Sequence, residues 1–269
     1  MKLQVLVDNN TYIDEYYLGE PAVSYYIEED GKRILFDTGY SDILLRNAEL
    51  MDIDLSALTH IVFSHGHNDH TRGFQFLSKG ADLSQVSLIA HPDCFLPKED
   101  DTGAFGAPFS REEAASSAKI VLSSGPVPLT DRLIWLGEIP RQNDFEAKEP
   151  VGKQRKDEGW ADDFVLDDTA LAYKGRGGLF IITGCSHSGI CNIVEYAKKV
   201  CGDDCIDGVL GGFHLFDEEE RLDKTIAYFR SCEMRKLYPC HCVSLRAKAA
   251  MLAELPVEEV GVGMKIEVE

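Results

Sequence analysis

Positive charge is what this chain is short of. It sets 27 Lys and Arg against 46 Asp and Glu, a formal charge of −19 over 269 residues. A field of that sign disfavours nucleic acid and anionic membrane as partners. A small anionic substrate stays open only where bound cations invert the local field. Long apolar runs are missing too, so no segment reads as a membrane span. The stretch Met1-Lys2-Leu3-Gln4-Val5-Leu6-Val7-Asp8 lacks the apolar core and cleavage site of a signal peptide. Eight cysteines in a chain read as unexported imply reduced thiols in a cytoplasm. Neither Cys201/Cys205 nor Cys240/Cys242 has the spacing of a four-ligand structural zinc site. Short tandem repeats are absent, and none of the features above bears on oligomeric state.

What is present is a core-forming composition, 44% hydrophobic, arranged in two passes of strands followed by helices. The first pass predicts strands over Leu3–Val7, Ala22–Ile27, Arg33–Phe36, residues 60–63 and Val86–Ala90. Helices are predicted over Ser41–Met51, with Ser41 as N-cap, and over residues 71–78. The second pass begins near residue 118. It predicts strands over Ile120–Leu122, Leu133–Leu136, Thr169–Tyr173, Leu179–Thr183, Gly208–Leu210, Lys236–Tyr238 and Met264–Val268. Its helices are Ile190–Val200, Glu218–Cys232 and Ser244–Leu255. The acidic run Asp217-Glu218-Glu219-Glu220 would complement the dipole at a helix start. Two sheets packed face to face with helices outside fit this order. Residues 92–117 and 141–166 read as irregular inserts, rich in Pro, Gly, Asp or charge. Loops of that length are lids, binding loops or disordered segments.

One cluster stands apart. His65-Gly66-His67-Asn68-Asp69-His70 packs three imidazoles and a carboxylate into six positions after the apolar run Ile61-Val62-Phe63. Imidazole with carboxylate suits zinc, iron or manganese. His65 and His67, two apart, can reach one ion. Asp69 and His70 are adjacent, so their side chains should diverge, toward a second ion roughly 3.5–4 Å from the first. His91, His187, His214 and His241 each follow an apolar strand-like run, so strand ends could bring them to the same place. A lone histidine in that position is more often a satisfied core residue than a ligand.

His-x-His-x-Asp-His after a hydrophobic strand resembles the signature of the metallo-β-lactamase superfamily. Leu35-Phe36-Asp37-Thr38-Gly39 resembles its first motif. Val7-Asp8-Asn9-Asn10, Leu136-Gly137-Glu138-Ile139-Pro140-Arg141, Gly184-Cys185-Ser186-His187, Gly211-Gly212-Phe213-His214 and Cys240-His241-Cys242 resemble one branch of it. That branch is the dihydropterin-ribofuranosylaminobenzene-phosphate-synthase-like metallohydrolases. The resemblance implies one α/β domain over residues 1–269, a four-layer αββα sandwich of the metallo-β-lactamase fold. It implies two divalent ions, zinc first with iron or manganese as alternatives. His65, His67, Asp69, His70, His187 and His241 would be the ligands, with His187 serving the first ion and His241 the second.

The superfamily's third histidine normally comes from a Gly-His turn that is absent here, because residues 92–186 contain no histidine. Gly184-Cys185 also stands where the superfamily has Gly-Asp. Cys185 is therefore a possible ligand or bridge, and Asp37 an outer hydrogen-bond acceptor bracing the hexad. Asp69, with His91 or His214, would do the catalytic work, and Arg141 would hold an anionic group of a small-molecule substrate. A salt bridge from Arg141 to Glu138 or Glu146 is the plainer alternative. The activity implied is metal-dependent hydrolysis through an activated water, with a pterin-type synthase as runner-up. Redox chemistry is disfavoured, because diiron members carry Glu at the position of His67.

Overall fold

A computed structural model describes residues 1–216 and 219–269. Asp217 and Glu218, half of the acidic run read as a helix start, lie outside the described residues. The helix that follows is described over Glu219–Ser231.

Two sheets dominate. The first has the order Lys265–Glu267, Lys2–Val7, Ser24–Glu29, Lys32–Phe36, His60–Val62, Ser87–Ala90, Lys119–Leu122. The second has the order Lys236–Pro239, Ile206–Gly211, Gly178–Thr183, Ala170–Gly175, Leu133–Trp135, Val127–Pro128. Sequence neighbours in the central strands enter different layers, as the two-residue strand period demands. Phe36, Val62, Ile89, Ile182, Leu210 and Tyr238 fill the space between the sheets. Their partners Leu35, Ile61 and Leu88 pack outward on one side, with Leu44, Ala48, Phe74 and Leu77. Ile181, Val209 and Leu237 pack outward on the other side. There they meet Ile190, Ile193, Val194 and Ala197 of the helix Ile190–Cys201, spaced as one helical face. The result is the αββα sandwich, with strands buried on both faces. Each such side chain contributes about 1.5–3 kcal/mol of burial. Trp135 is fully buried between the sheets and donates from Nε1 to the Phe63 carbonyl at 3.3 Å.

Three expectations are corrected. Lys119–Leu122 does not open the second sheet. It pairs in parallel with Ser87–Ala90 and ends the first, while Lys265–Glu267 returns to pair with Lys2–Val7. The first helix runs over Ile43–Leu50 with Asp42 in the cap position. Ser41 still contributes, since its Oγ accepts the Ile43 N–H at 3.2 Å. The inserts at 92–117 and 141–166 are irregular only in part. Lys98–Asp100 and Gly103–Ala104 from one join Gly152–Lys156 and Gly159–Asp163 from the other in a small third sheet. The first insert also carries the helix Arg111–Ala115, closed by a Ser110/Glu113 capping box.

Among the described residues, no helix is long and apolar enough to cross a membrane.

Candidate metal centre

The strands Lys32–Phe36, His60–Val62 and Ser87–Ala90 run parallel, as do Gly178–Thr183, Ile206–Gly211 and Lys236–Pro239. Their carboxyl ends release Asp37, the hexad, His91, Cys185, His214 and His241. Such ends are where open α/β sheets place their ligands.

Two groups of side chains form there. His65 and His67 have ring centroids 4.3 Å apart, and His187 lies 4.9 Å from the first and 4.7 Å from the second. The other group is Asp69, His70 and His241. Asp69 Oδ2 lies 3.4 Å from His70 Nε2 and 3.3 Å from His241 Nε2. Asp69 and His70 thus converge instead of diverging, with Asp69 Oδ2 reaching back to His70 Nε2 from the helical turn Asn68–Thr71. Cys185 stands between the groups. Its Sγ clusters with His65 and His187 on one side and with Asp69, His70 and His241 on the other.

The outer contacts fix the imidazoles. Ser64 Oγ donates to Asp37 Oδ2 at 2.7 Å and so accepts from His65 Nδ1 at 2.9 Å. Nε2 of His65 is thereby left with its lone pair facing inward. Asp37 Oδ2 also receives His70 Nδ1 at 2.7 Å, and its Oδ1 receives the Ser64 N–H at 2.7 Å. One buried carboxylate therefore braces two members of the cluster. His241 Nδ1 donates to Asn9 Oδ1 at 3.2 Å, and the His241 N–H goes to Asp8 Oδ1 at 2.9 Å. Asp37, Ser186, His214 and His241 all adopt left-handed backbone conformations, with φ of 59°, 62°, 48° and 52°.

The donor set fits a metal. Nε2 of His65, His67 and His187 are buried and make no hydrogen bond within the protein, and His241 Nε2 has only the Asp69 carboxylate, at 3.3 Å. Burial holds His65 and His187 well below the ordinary imidazole range and His67 at about 3, so these rings keep free lone pairs. Burial also lowers His70, but Asp69 and Asp37 outweigh it and hold the ring well above its usual value. Burial raises Asp69, and His70 and His241 overcome that to keep it ionised. Uncompensated buried nitrogens are costly, and divalent cations would satisfy them. Residues Asp69, His70, Cys185 and His241 could hold one ion, and His65, His67 and His187 with Cys185 another.

His214 adjoins the first group, 4.4 Å from the His187 ring, with Nδ1 buried and lacking a hydrogen bond. Burial lowers it to about 4. A cleft of about 410 Å³ opens on His187 and His214, with Phe145, Lys148 and Arg221 in its lining. His91 does not join the cluster. Its Nδ1 accepts the Asp93 N–H at 3.1 Å, and its Nε2 lies 3.7 Å from Glu138. Arg141 is also committed elsewhere, since Nη2 donates to the carbonyl oxygens of Phe164 and Val165. Glu146, one of its suggested partners, instead receives the N–H groups of Cys191 and Asn192 at 3.0 and 3.1 Å.

Sequence reasoning assigned no role to Asn9, Lys98, Asp167 or Asp168. Asn9 sits in a segment already noted for its family resemblance. The other three lie in or just beyond the inserts, where Asp167 and Asp168 accept backbone N–H groups of the histidine loops and Lys98 holds Asp167.

The model of the metallo-beta-lactamase superfamily matches residues 18–200. An uncharacterized protein of Methanocaldococcus jannaschii, MJ0448, is 36% identical over 251 residues, 91% of either chain. The same organism's 7,8-dihydropterin-6-methyl-4-(beta-D-ribofuranosyl)-aminobenzene-5'-phosphate synthase is 29% identical, covering 94% of this chain and 91% of its own. Among solved structures, Tm1679, described as a metal-dependent hydrolase of the beta-lactamase superfamily, superposes with a TM-score of 0.87. It is 26% identical, covering 100% of this chain and 99% of its own. With the histidine cluster at the strand ends and the family match over most of its length, this chain belongs to the metallo-β-lactamase superfamily.

Proposed function

We propose that this protein is a metal-dependent hydrolase acting on a small anionic substrate. The observation that carries the reading is the convergence of His65 and His187 with Cys185, and of Asp69, His70 and His241 with the same sulfur, with His67 packed against the first pair. Two divalent ions, zinc first, would supply a water of lowered pKa and polarise the bond under attack. The chain's own residues do the rest. Asp69 stays ionised between His70 and His241 and offers an oxygen to orient the attacking group. His214, neutral at pH 7, faces the cleft and can donate a hydrogen bond where charge develops. It suits that role better than His91, whose Nδ1 is occupied by a backbone N–H. Lys148 and Arg221 outnumber Glu149 in the lining of this cleft, in a chain of charge −19, which supports an anionic group at its mouth.

A second reading is a synthase acting on a dihydropterin and a phosphorylated aminobenzene riboside. The 29% identical M. jannaschii synthase favours it. So does Cys185, where a carboxylate would be expected in a two-ion hydrolytic site.

Metal analysis of protein purified without chelator, read beside a screen of phosphate mono- and diesters, tests the first reading. Hydrolysis that disappears on chelation and falls about 10²–10⁴-fold in His214→Ala at unchanged metal content is the expected result. A metal-loaded protein that cleaves none of the esters but joins the two synthase substrates would replace the first reading by the second.

A further inference from the structure

Two adjacent carboxylates reach from the end of the second insert into both loops that carry the first group of histidines. Asp167 Oδ2 accepts the N–H of Gly66, the residue between His65 and His67, at 2.7 Å. Asp168 Oδ2 accepts the Ser188 N–H at 2.9 Å and also the Ser188 hydroxyl, next to His187. Thr169 continues the contact, its N–H donating to the Ser64 carbonyl at 2.9 Å. Gly66 packs directly on the Cys94 backbone, where a Cβ would stand 2.1 Å from the Cys94 carbonyl oxygen.

The dipeptide is itself held from behind. Lys98 Nζ donates to Asp167 Oδ1 at 2.8 Å and to Asp163 Oδ2 at 3.0 Å, with all three side chains fully buried. Asp163 Oδ1 takes the Val165 N–H at 2.8 Å, and Val165 in turn accepts the Asp168 N–H at 3.1 Å. Lys98 and Asp163 lie on strands of the small third sheet. That sheet grips the hexad a second time, where Asn68 N–H meets the Phe105 carbonyl at 2.8 Å. One ammonium against two carboxylates leaves a net negative charge bonded to Gly66, between His65 and His67.

We propose that Asp167-Asp168 is the positioning element of the first metal group. One carboxylate holds the His65/His67 loop, the other holds the His187 loop, and together they set the opening between them. The third sheet, through Lys98, belongs to the metal centre. The inference rests on the reading that His65, His67 and His187 hold an ion.

The test is a Zn²⁺ titration of full-length apoprotein against a chromophoric chelator. A His241→Ala background isolates the first group, and a His65→Ala background the second. Asp167→Asn keeps the shape but removes the charge. It should weaken Zn²⁺ at the first group by about 10–100-fold and leave the second unchanged. Because Lys98 then loses an ionic partner, Ser188→Ala serves as the variant that spares the fold. It should lower first-group affinity in the same direction, by less, with its melting temperature near that of the parent. Wild-type first-group affinity in both variants would overturn the proposal. So would an equal loss at both groups in step with the melting temperature, which would make the dipeptide a fold element only. If His65→Ala alone already binds two ions like wild type, the metal reading is what fails. If His65→Ala loses an ion and the other variants do not, only the brace is wrong.

Discussion

Cys185 Sγ stands 3.1 Å from His70 Nε2, and the same sulfur completes the group made by His65 and His187. A thiol placed between two ligand sets touches both. Cys185→Ala should therefore weaken binding of both ions, by about tenfold or more at each. Zinc titration in the single variant checks this. Loss of one ion with the other untouched would mean that Cys185 belongs to one group.

The two groups also predict a division of labour among single variants. His241→Ala and Asp69→Ala should empty or weaken one ion, and His65→Ala and His187→Ala the other. Stoichiometry by elemental analysis decides, independently of turnover. A variant from either pair that loses both ions, or neither, would dissolve the division.

Glu146 makes a prediction about stability. The helix Ile190–Cys201 starts after Gly189, which has no side chain to cap it. The Glu146 carboxylate takes over from a distant loop, accepting the N–H groups of Cys191 and Asn192. Glu146→Ala should cost about 1–2 kcal/mol, a loss of several degrees in melting temperature. Gly189→Ala should be worse than an ordinary glycine substitution. Its φ is +95°, and a Cβ there would lie 2.3 Å from Glu146 Oε2. A thermal melt of either variant that overlays wild type would contradict this account.

Arg141 separates a brace from an anion clamp. Its Nη2 is bonded to the Phe164 and Val165 carbonyls, so Arg141→Lys should lower the melting temperature by roughly 1 kcal/mol equivalent. The Michaelis constant for an anionic substrate should not move. The opposite pattern would return Arg141 to the substrate.

The parts of this molecule that could be read from its residues are those whose cause is local. The hexad declares itself because metal ligands of one turn must be close in the chain. The central strands declare themselves through doubled apolar pairs such as Ile181-Ile182, Val209-Leu210 and Ile61-Val62, each feeding two layers. The site assignments of His187 and His241 needed family resemblance, because only the fold brings residues so far apart to one edge. The third sheet gave no such signal. Lys153-Gln154-Arg155-Lys156 has no apolar alternation, and its pairing with Lys98-Glu99 spans about fifty residues of chain. Asp167 and Asp168 were silent for a related reason, since they recognise backbone N–H groups, which any sequence supplies. The strand expected over Ile120–Leu122 forms over Lys119–Leu122, but in the first sheet and not the second, because a strand's pattern does not name its neighbour.

The left-handed backbone at Asp37, Ser186, His214 and His241 carries a consequence for any effort to improve this protein. That conformation costs an ordinary L-residue up to about 1–2 kcal/mol, and least at Asp37, whose short polar side chain tolerates it. The αββα sandwich bears that load in order to aim these side chains inward. Substitution by asparagine or glycine, which tolerate the conformation, would relax the backbone while removing the chemistry. His214→Asn is therefore expected to survive selection for heat resistance as well as wild type or better. A library sorted on folding alone would drift away from a working centre, one strand end at a time.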